Sequence, residues 1–256
     1  MIEYGGVMQP SFLRVTGVEV SMPEIDMQTM TVPKRLGAIY YGYEMGGRTV
    51  SLEVTLVKPP YRTLQELEIL LAKWLFPYTS GSINPFSDLQ KLYLEEDKSK
   101  YLEVRVSNTV SIKDIVKAGE GTIEFYSPSP FYYDSLEISE TKTIVSAGGA
   151  NYVTYNGSYD VYPYEITVTM DTAVTGCTIR NSALSKNLSI YKSMNAGDVI
   201  KIYPNKREVY INDEYAMKYV AIGKTQFPIL LANSENRFYT TLGNGTLEIK
   251  SRILYI

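Results

Sequence analysis

Along residues 48–57 the apolar side chains Val50, Leu52, Val54 and Leu56 share one parity, and Thr49, Ser51, Glu53 and Thr55 the other. Such alternation predicts a strand with one buried face. Pro59 and Pro60 end it, since neither can donate to a ladder. Thr63 then precedes Glu66 by three residues, the spacing of a capping box. Leu64, Leu67, Leu71, Trp74 and Leu75 follow at helical spacing, and Pro77 forces Phe76 out of the α region, so one helix is predicted over residues 63–76. Leu102, Val104 and Val106 alternate with Glu103 and Arg105 to close a strand–helix–strand unit. A single amphipathic helix must bury its stripe, and only strands offer it an apolar face, so it belongs on a sheet with Trp74 in the core.

The remaining pattern is almost wholly β. Residues 12–20 alternate with a slip at Gly17, residues 91–94 form a short strand, and residues 121–127 set Ile123 and Phe125 against Glu124 and Tyr126. Residues 79–88 read as a turn-rich loop and residues 95–100 as a charged hairpin tip. Residues 34–47 mix Leu36, Ile39, Tyr40, Tyr41, Tyr43 and Met45 with four glycines. That mixture fits either a local hairpin or an arm that buries these side chains on a neighbouring subunit. The Ser127-Pro128-Ser129-Pro130 passage marks a boundary, dividing the chain into domains 1–133 and 134–256. In the second domain, strands are predicted at 136–145, 162–170, 177–181, 188–193, 199–203, 208–212 and 246–256. Turn residues such as Asn156-Gly157, Asn212-Asp213 and Gly243-Asn244-Gly245 fall among them. Short strands without a helix of useful length imply a sandwich or jelly roll.

Composition changes this picture mainly by what it excludes. The 256 residues contain no histidine, which removes Ser-His-Asp and Cys-His nucleophiles, His-bearing zinc sites and the commonest neutral-pH base. No P-loop or dinucleotide fingerprint occurs. Glu165, Asp171, Asp213 and Glu214 could in principle supply a glycosidase pair, but carboxylates at strand edges and in turns are ordinarily solvated. Catalytic, cofactor and metal residues are therefore expected to be absent. The net charge of −3 leaves no basic stripe for nucleic acid, and no run approaches a membrane span. The first residues carry neither a basic n-region nor an apolar h-region. Cys177 reads as a small buried hydrophobe. Tyrosine outnumbers phenylalanine 23 to 7, which suits surfaces that are wet before assembly and dry after it, or sugar stacking.

The order of parts is similar to a known family. The helix ends Ala72-Lys73-Trp74-Leu75-Phe76, and the first domain closes with Phe125-Tyr126-Ser127-Pro128-Ser129-Pro130-Phe131-Tyr132-Tyr133. Asn156-Gly157, Tyr162-Pro163-Tyr164-Glu165-Ile166, Ala196-Gly197-Asp198-Val199-Ile200 and Phe227-Pro228-Ile229-Leu230 follow. In order and spacing these segments resemble the distal tail proteins of siphophages, the siphophage tail-component family, over essentially the whole chain. The resemblance implies a mainly β protein: an N-terminal β-sandwich-like, ring-forming domain with one α-helix and a belt hairpin, then a C-terminal galectin-like jelly-roll β-sandwich. It further implies a hexameric ring, single or as two rings back to back, at the distal end of the virion's tail after assembly in the bacterial cytoplasm. Tail tube protein, tail-tip protein and receptor-binding protein are the implied partners, with DNA passing through the ring, no specific nucleic-acid binding and no membrane. Leu36, Ile39, Tyr40, Tyr41, Tyr43 and Met45 would be the belt's interface residues. Galectins use a histidine in their sugar site, so the galectin-like label brings no sugar binding with it. The competing readings are a tail-tube subunit and a module binding host-surface glycan. The latter would need two or three coplanar aromatics beside Asn, Asp or Arg, with Tyr152, Tyr155, Tyr159 and Tyr162 as the candidate cluster.

Overall fold

The computed structural model describes residues 1–34, 36–57, 59–77, 88–94, 98–108, 110–145, 147–184, 186–221, 223 and 225–256. The loop expected at 79–88 and the hairpin tip expected at 95–100 lie largely outside them. The chain divides into two compact units, Met1–Ser135 and Leu136–Ile256.

In the first unit the elements run β1 (Glu3–Tyr4), β2 (Val7–Met8), β3 (Leu13–Val20), β4 (Ile25–Thr31), β5 (Ala38–Met45), β6 (Arg48–Leu56), α1 (Leu64–Leu75), β7 (Gln90–Tyr93), β8 (Lys100–Val106), α2 (Ile112–Ala118) and β9 (Gly121–Ser127). β10 (Tyr132–Ile144) then carries the chain into the second unit. An antiparallel path β3-β6-β9-β8-β7-β1-β2 surrounds the core. The predicted slip in β3 is a bulge between Val15 and Gly17, where Thr16 Oγ1 donates to the Glu53 carbonyl at 3.2 Å.

α1 starts as its sequence dictates. Thr63 Oγ1 accepts from the Glu66 N–H at 3.3 Å, and Glu66 Oε2 accepts from the Thr63 N–H at 2.8 Å. Leu67, Leu71, Trp74 and Leu75 enter one cluster with Val50, Leu52 and Val54 of β6, Leu102 and Val104 of β8, and Phe125 of β9. Trp74 stands edge-on to Tyr4 and Phe125, and its indole N–H donates to the Val7 carbonyl at 3.1 Å.

The sequence reading allowed one helix; α2 is a second, short one. Ser111 Oγ accepts from the Asp114 N–H at 3.4 Å, and Gly119, at φ 81°, takes the left-handed position beyond the last turn. Its seven residues include Ile112, Ile115 and Val116, whose branched side chains weaken helical propensity. Burial of Ile112 and Ile115 in the same core supplies what propensity does not.

The second unit is a sandwich. Its further strands are β11 (Ala150–Tyr155), β12 (Glu165–Met170), β13 (Cys177–Asn181), β14 (Leu188–Ile190), β15 (Val199–Tyr203), β16 (Glu208–Ile211), β17 (Glu214–Tyr215), β18 (Ser234–Thr240) and β19 (Gly245–Tyr255). One sheet runs β17-β16-β15-β12-β19-β10 and the other β11-β18-β13-β14. Inward residues of both, such as Val168, Ile202 and Ile249 against Val153, Ile179 and Phe238, share one core. Cys177 lies in that core, and burial pushes its thiol up to about 12, so it stays protonated and unreactive at neutral pH. Asn212 and Asp213, at φ 50° and 63°, form the β16–β17 turn that their types favour.

If α1 is bound through this face, Leu71→Ala and Trp74→Ala should each cost about 2–5 kcal/mol, by the cavity they leave. Thr63→Ala should cost about 1 kcal/mol through its lost cap. Urea unfolding of the three variants measures this ordering, and a neutral Trp74→Ala would contradict it.

Candidate interaction surface

Residues 34–47 do not form a hairpin on their own. Their strand β5 pairs with β4, Ile25–Thr31, which lies before the segment singled out by sequence. Met27, Gln28 and Met30 are modest strand formers and every β4 residue is exposed, so no alternation of buried and exposed positions announced the strand. Together β4 and β5 make a separate two-stranded sheet.

The ribbon is pinned where it leaves the body. Beyond Val20↔Val50 the ladder continues: Ser21 N–H donates to the Thr49 carbonyl at 2.9 Å, and Thr49 N–H to Ser21 Oγ at 2.8 Å. Glu24 N–H then donates to Gly47 O at 3.0 Å, and Gly46 N–H to Glu24 O at 2.8 Å. A Cβ on Gly47 would run into the Ser127 carbonyl and the Tyr126 ring, so this glycine serves close approach. Next to it, buried Arg48 sets its guanidinium 4.9 Å from the Tyr132 ring centre. The Ser127–Tyr133 passage is itself laced by Ser127 Oγ donating to Ser129 O at 2.8 Å and by the Tyr133 hydroxyl on Ser129 Oγ at 3.0 Å.

Residues paired across an antiparallel ladder share a face. Ile25↔Met45 and Met27↔Tyr43 lie on one face, and Asp26↔Glu44 and Gln28↔Gly42 on the other. A bulge between Gln28 and Thr29 leaves Tyr41 without a ladder partner. Its hydroxyl donates to Met30 Sδ at 3.8 Å, which puts Tyr41 with Met30 and Ile39 on the second face, beyond the acidic pair. Tyr40, opposite Thr29, extends the first. Both faces therefore carry apolar side chains in water: Met27 is 67% exposed, Tyr41 62% and Leu36, in the connecting turn, 100%. Ile39 and Met45 are half-buried. Ile25, Met27 and Met30 are the members of this surface that sequence reasoning missed.

Two of the acidic residues considered for catalysis, Glu165 and Asp213, are engaged in ion pairs. Lys250 Nζ lies 2.8 Å from Glu165 Oε1, and this hydrogen bond is the main reason the Glu165 carboxyl titrates below its ordinary range. Asp213 holds Lys201 at 2.6 Å. Burial first, and then the Tyr164 hydroxyl's 2.7 Å hydrogen bond to Glu137, push that phenol up to about 12. Two of the four tyrosines considered for sugar stacking are taken up otherwise: Tyr155 is core with its hydroxyl accepting from Leu254 N–H at 3.1 Å, and Tyr152 lies 5.1 Å from the Arg237 guanidinium. Tyr203, Tyr210 and Tyr215 form a ladder, but neighbouring rings meet at 80° and 76°, edge to face rather than coplanar. Among the described residues no cluster of acids and cysteine suits a metal ion.

Residues 6–127 match the family described as the phage tail protein RIFT-related domain, and residues 156–251 the siphovirus-type tail component, C-terminal domain. No curated protein sequence matches the chain. Among solved structures it is similar to the SPP1 Dit (gp 19.1) protein, described as a paradigm of hub adsorption apparatus in Gram-positive infecting phages. The TM-score there is 0.75, at 15% identity over 98% of each chain, which shows a shared fold. A chain of the phage p2 baseplate in its activated conformation with Sr aligns over 97% of each chain at 8% identity and a TM-score of 0.43.

The Glu165–Lys250 pair predicts a pH response of definite sign. Its depressed carboxyl contributes stability above the ordinary value near 4.5, lost as pH falls through the lower folded value. Glu165→Gln should cost no more than about 1 kcal/mol at pH 7. The difference from wild type in urea midpoint should vanish towards pH 2; a difference that grows on acidification would contradict the assignment.

Proposed function

The chain belongs to the siphovirus-type tail-component family, as a distal tail structural protein, and on that footing we infer that six copies close into a ring. The ring joins the tail tube to the tail-tip and receptor-binding components and leaves a central passage for DNA. It stands singly or as two rings back to back, with the first unit forming its body and the galectin-like second unit its periphery.

The observation that carries this reading is the β4–β5 ribbon, apolar on both faces and exposed along its length. A tail hub needs contacts that run head to tail and close, because open head-to-tail contacts would propagate as filaments. A ribbon rooted in one copy and buried on the next supplies such a contact. At about 25 cal/mol per Å2, burying about 400 Å2 of its apolar surface gives about 10 kcal/mol before ordering and association costs are subtracted. Leu36, Ile39, Tyr40, Tyr41, Tyr43 and Met45, with Ile25, Met27 and Met30, make that contact.

Replacing residues 25–45 by a short Gly-Ser loop tests the proposal. Wild type at tens of micromolar should show the mass of a ring in light scattering. The variant should be monomeric with near-unchanged circular dichroism. Rings that persist in the variant would return the ribbon to a local role, and a wild type that stays monomeric at every concentration would remove self-assembly altogether.

A further inference from the structure

A cavity of about 400 Å3 in the second unit is lined by Tyr162 and Phe227, by Met217 and Val220, and by Arg207 and Gln226. The volume falls in the range of small-ligand sites. Two parts of the lining are fixed by backbone hydrogen bonds. The mutual backbone hydrogen bonds of Val161 and Leu230, at 2.9 and 2.8 Å, set Tyr162 beside the segment that carries Phe227. The 3-10 turn Met217–Tyr219 closes with Val220 N–H donating to Met217 O at 3.0 Å.

Arg207 is the residue that calls for explanation. It stands at φ 57° in the β15–β16 turn, where its N–H donates to the Pro204 carbonyl at 3.3 Å. That left-handed position favours glycine or asparagine, and a long branched-head side chain there is held at a cost in backbone strain. The guanidinium makes no ion pair or hydrogen bond with the described residues, nor do the Tyr162 hydroxyl and the Gln226 amide. Arg207 and Tyr162 are exposed, so these hydrogen-bonding groups, beside the apolar lining of the hollow, are open to a ligand.

We propose that this pocket binds an anionic saccharide unit, a sugar ring bearing a carboxylate or phosphate. The C–H face of a pyranose packs on Tyr162 or Phe227, its hydroxyls meet the Gln226 amide and the Tyr162 hydroxyl, and its acidic group meets Arg207. An added peptide strand fits less well. The edge of β14 next to the pocket is already bridged by Val220 against Ile190 and by Thr225 against Asn187, so it offers no open ladder. The site is independent of the β4–β5 ribbon and goes beyond the assembly role.

The test titrates the full-length protein with tri-galacturonic acid, glucose 6-phosphate and their neutral counterparts, galactotriose and glucose, following calorimetry and ligand-observed NMR. At least one anionic probe should bind ten times or more tighter than its neutral counterpart and weaken as salt is raised. Which acid prevails tells carboxylate from phosphate. Arg207→Gly should abolish that preference while leaving the thermal midpoint unchanged or higher, because glycine relieves the left-handed turn. Gln226→Ala should weaken binding of the same probe several-fold. Absence of binding by all four probes at millimolar concentration, equal binding of charged and neutral sugars, or undiminished binding by Arg207→Gly would each overturn the proposal. So would protection of Tyr162 and Phe227 by a tail protein with no saccharide bound, which would make the pocket a protein-docking site.

Discussion

A two-stranded ribbon has no interior. Every side chain on it faces either water or another surface, and two strands alone are marginally stable in water. The β4–β5 ribbon carries tyrosine, methionine and isoleucine on both sides of its plane, with only Asp26, Glu44 and Gln28 grouped as a polar patch near the root. Asp26 and Glu44 oppose one another directly, a like-charge pairing that weakens the ribbon further. Its continuation of the β3–β6 ladder through Ser21, Glu24, Gly46 and Gly47 gives it direction without giving it cover. Cover for these side chains would have to come from another surface, and the proposed assembly supplies one in a neighbouring copy.

The two units contrast in how they use polar chemistry. In the second, Glu137 pairs with Arg252 and Glu165 with Lys250 from strand to strand across one sheet, and Lys250 also meets Glu248 along its own strand. Such exposed pairs add little stability singly, but they leave those carboxylates with structural partners. The tyrosines divide likewise. Tyr4 and Tyr155 are fully packed, while Tyr40, Tyr41 and Tyr43 stand in water on the ribbon. The high tyrosine count is therefore not one signal but several, and only the ribbon's share speaks for assembly.

How much of this could be read from the chain follows from where each element buries its side chains. β6, β8 and β9 each put alternate residues into the core, and α1 has both its stripe and its capping box, so all were legible. β11 and β18 were not, because Asn151, Asn236 and Thr240 occupy inward positions and break the apolar alternation. Asn236 is tolerable there because its Oδ1 accepts from Leu231 N–H at 2.8 Å and from Asn181 Nδ2 at 3.0 Å, partners distant enough in sequence or kind to give no warning. α2 was hidden by its β-branched residues. In the candidate surface the β5 half was legible through its aromatic and glycine content, whereas β4, with no buried face, left no periodic trace. Arg207 shows the same limit from another side, since a backbone angle is invisible in a sequence.

Amide hydrogen exchange across a dilution series addresses the central claim most directly, because it reports where the ribbon obtains its cover. At concentrations where the protein is assembled, the amides of β4 and β5 should be protected. On dilution to monomers they should exchange rapidly, while β3 and β6, whose ladder they extend, remain slow. Ribbon amides equally protected in monomer and assembly would contradict the account, since the ribbon would then be stable without a neighbour.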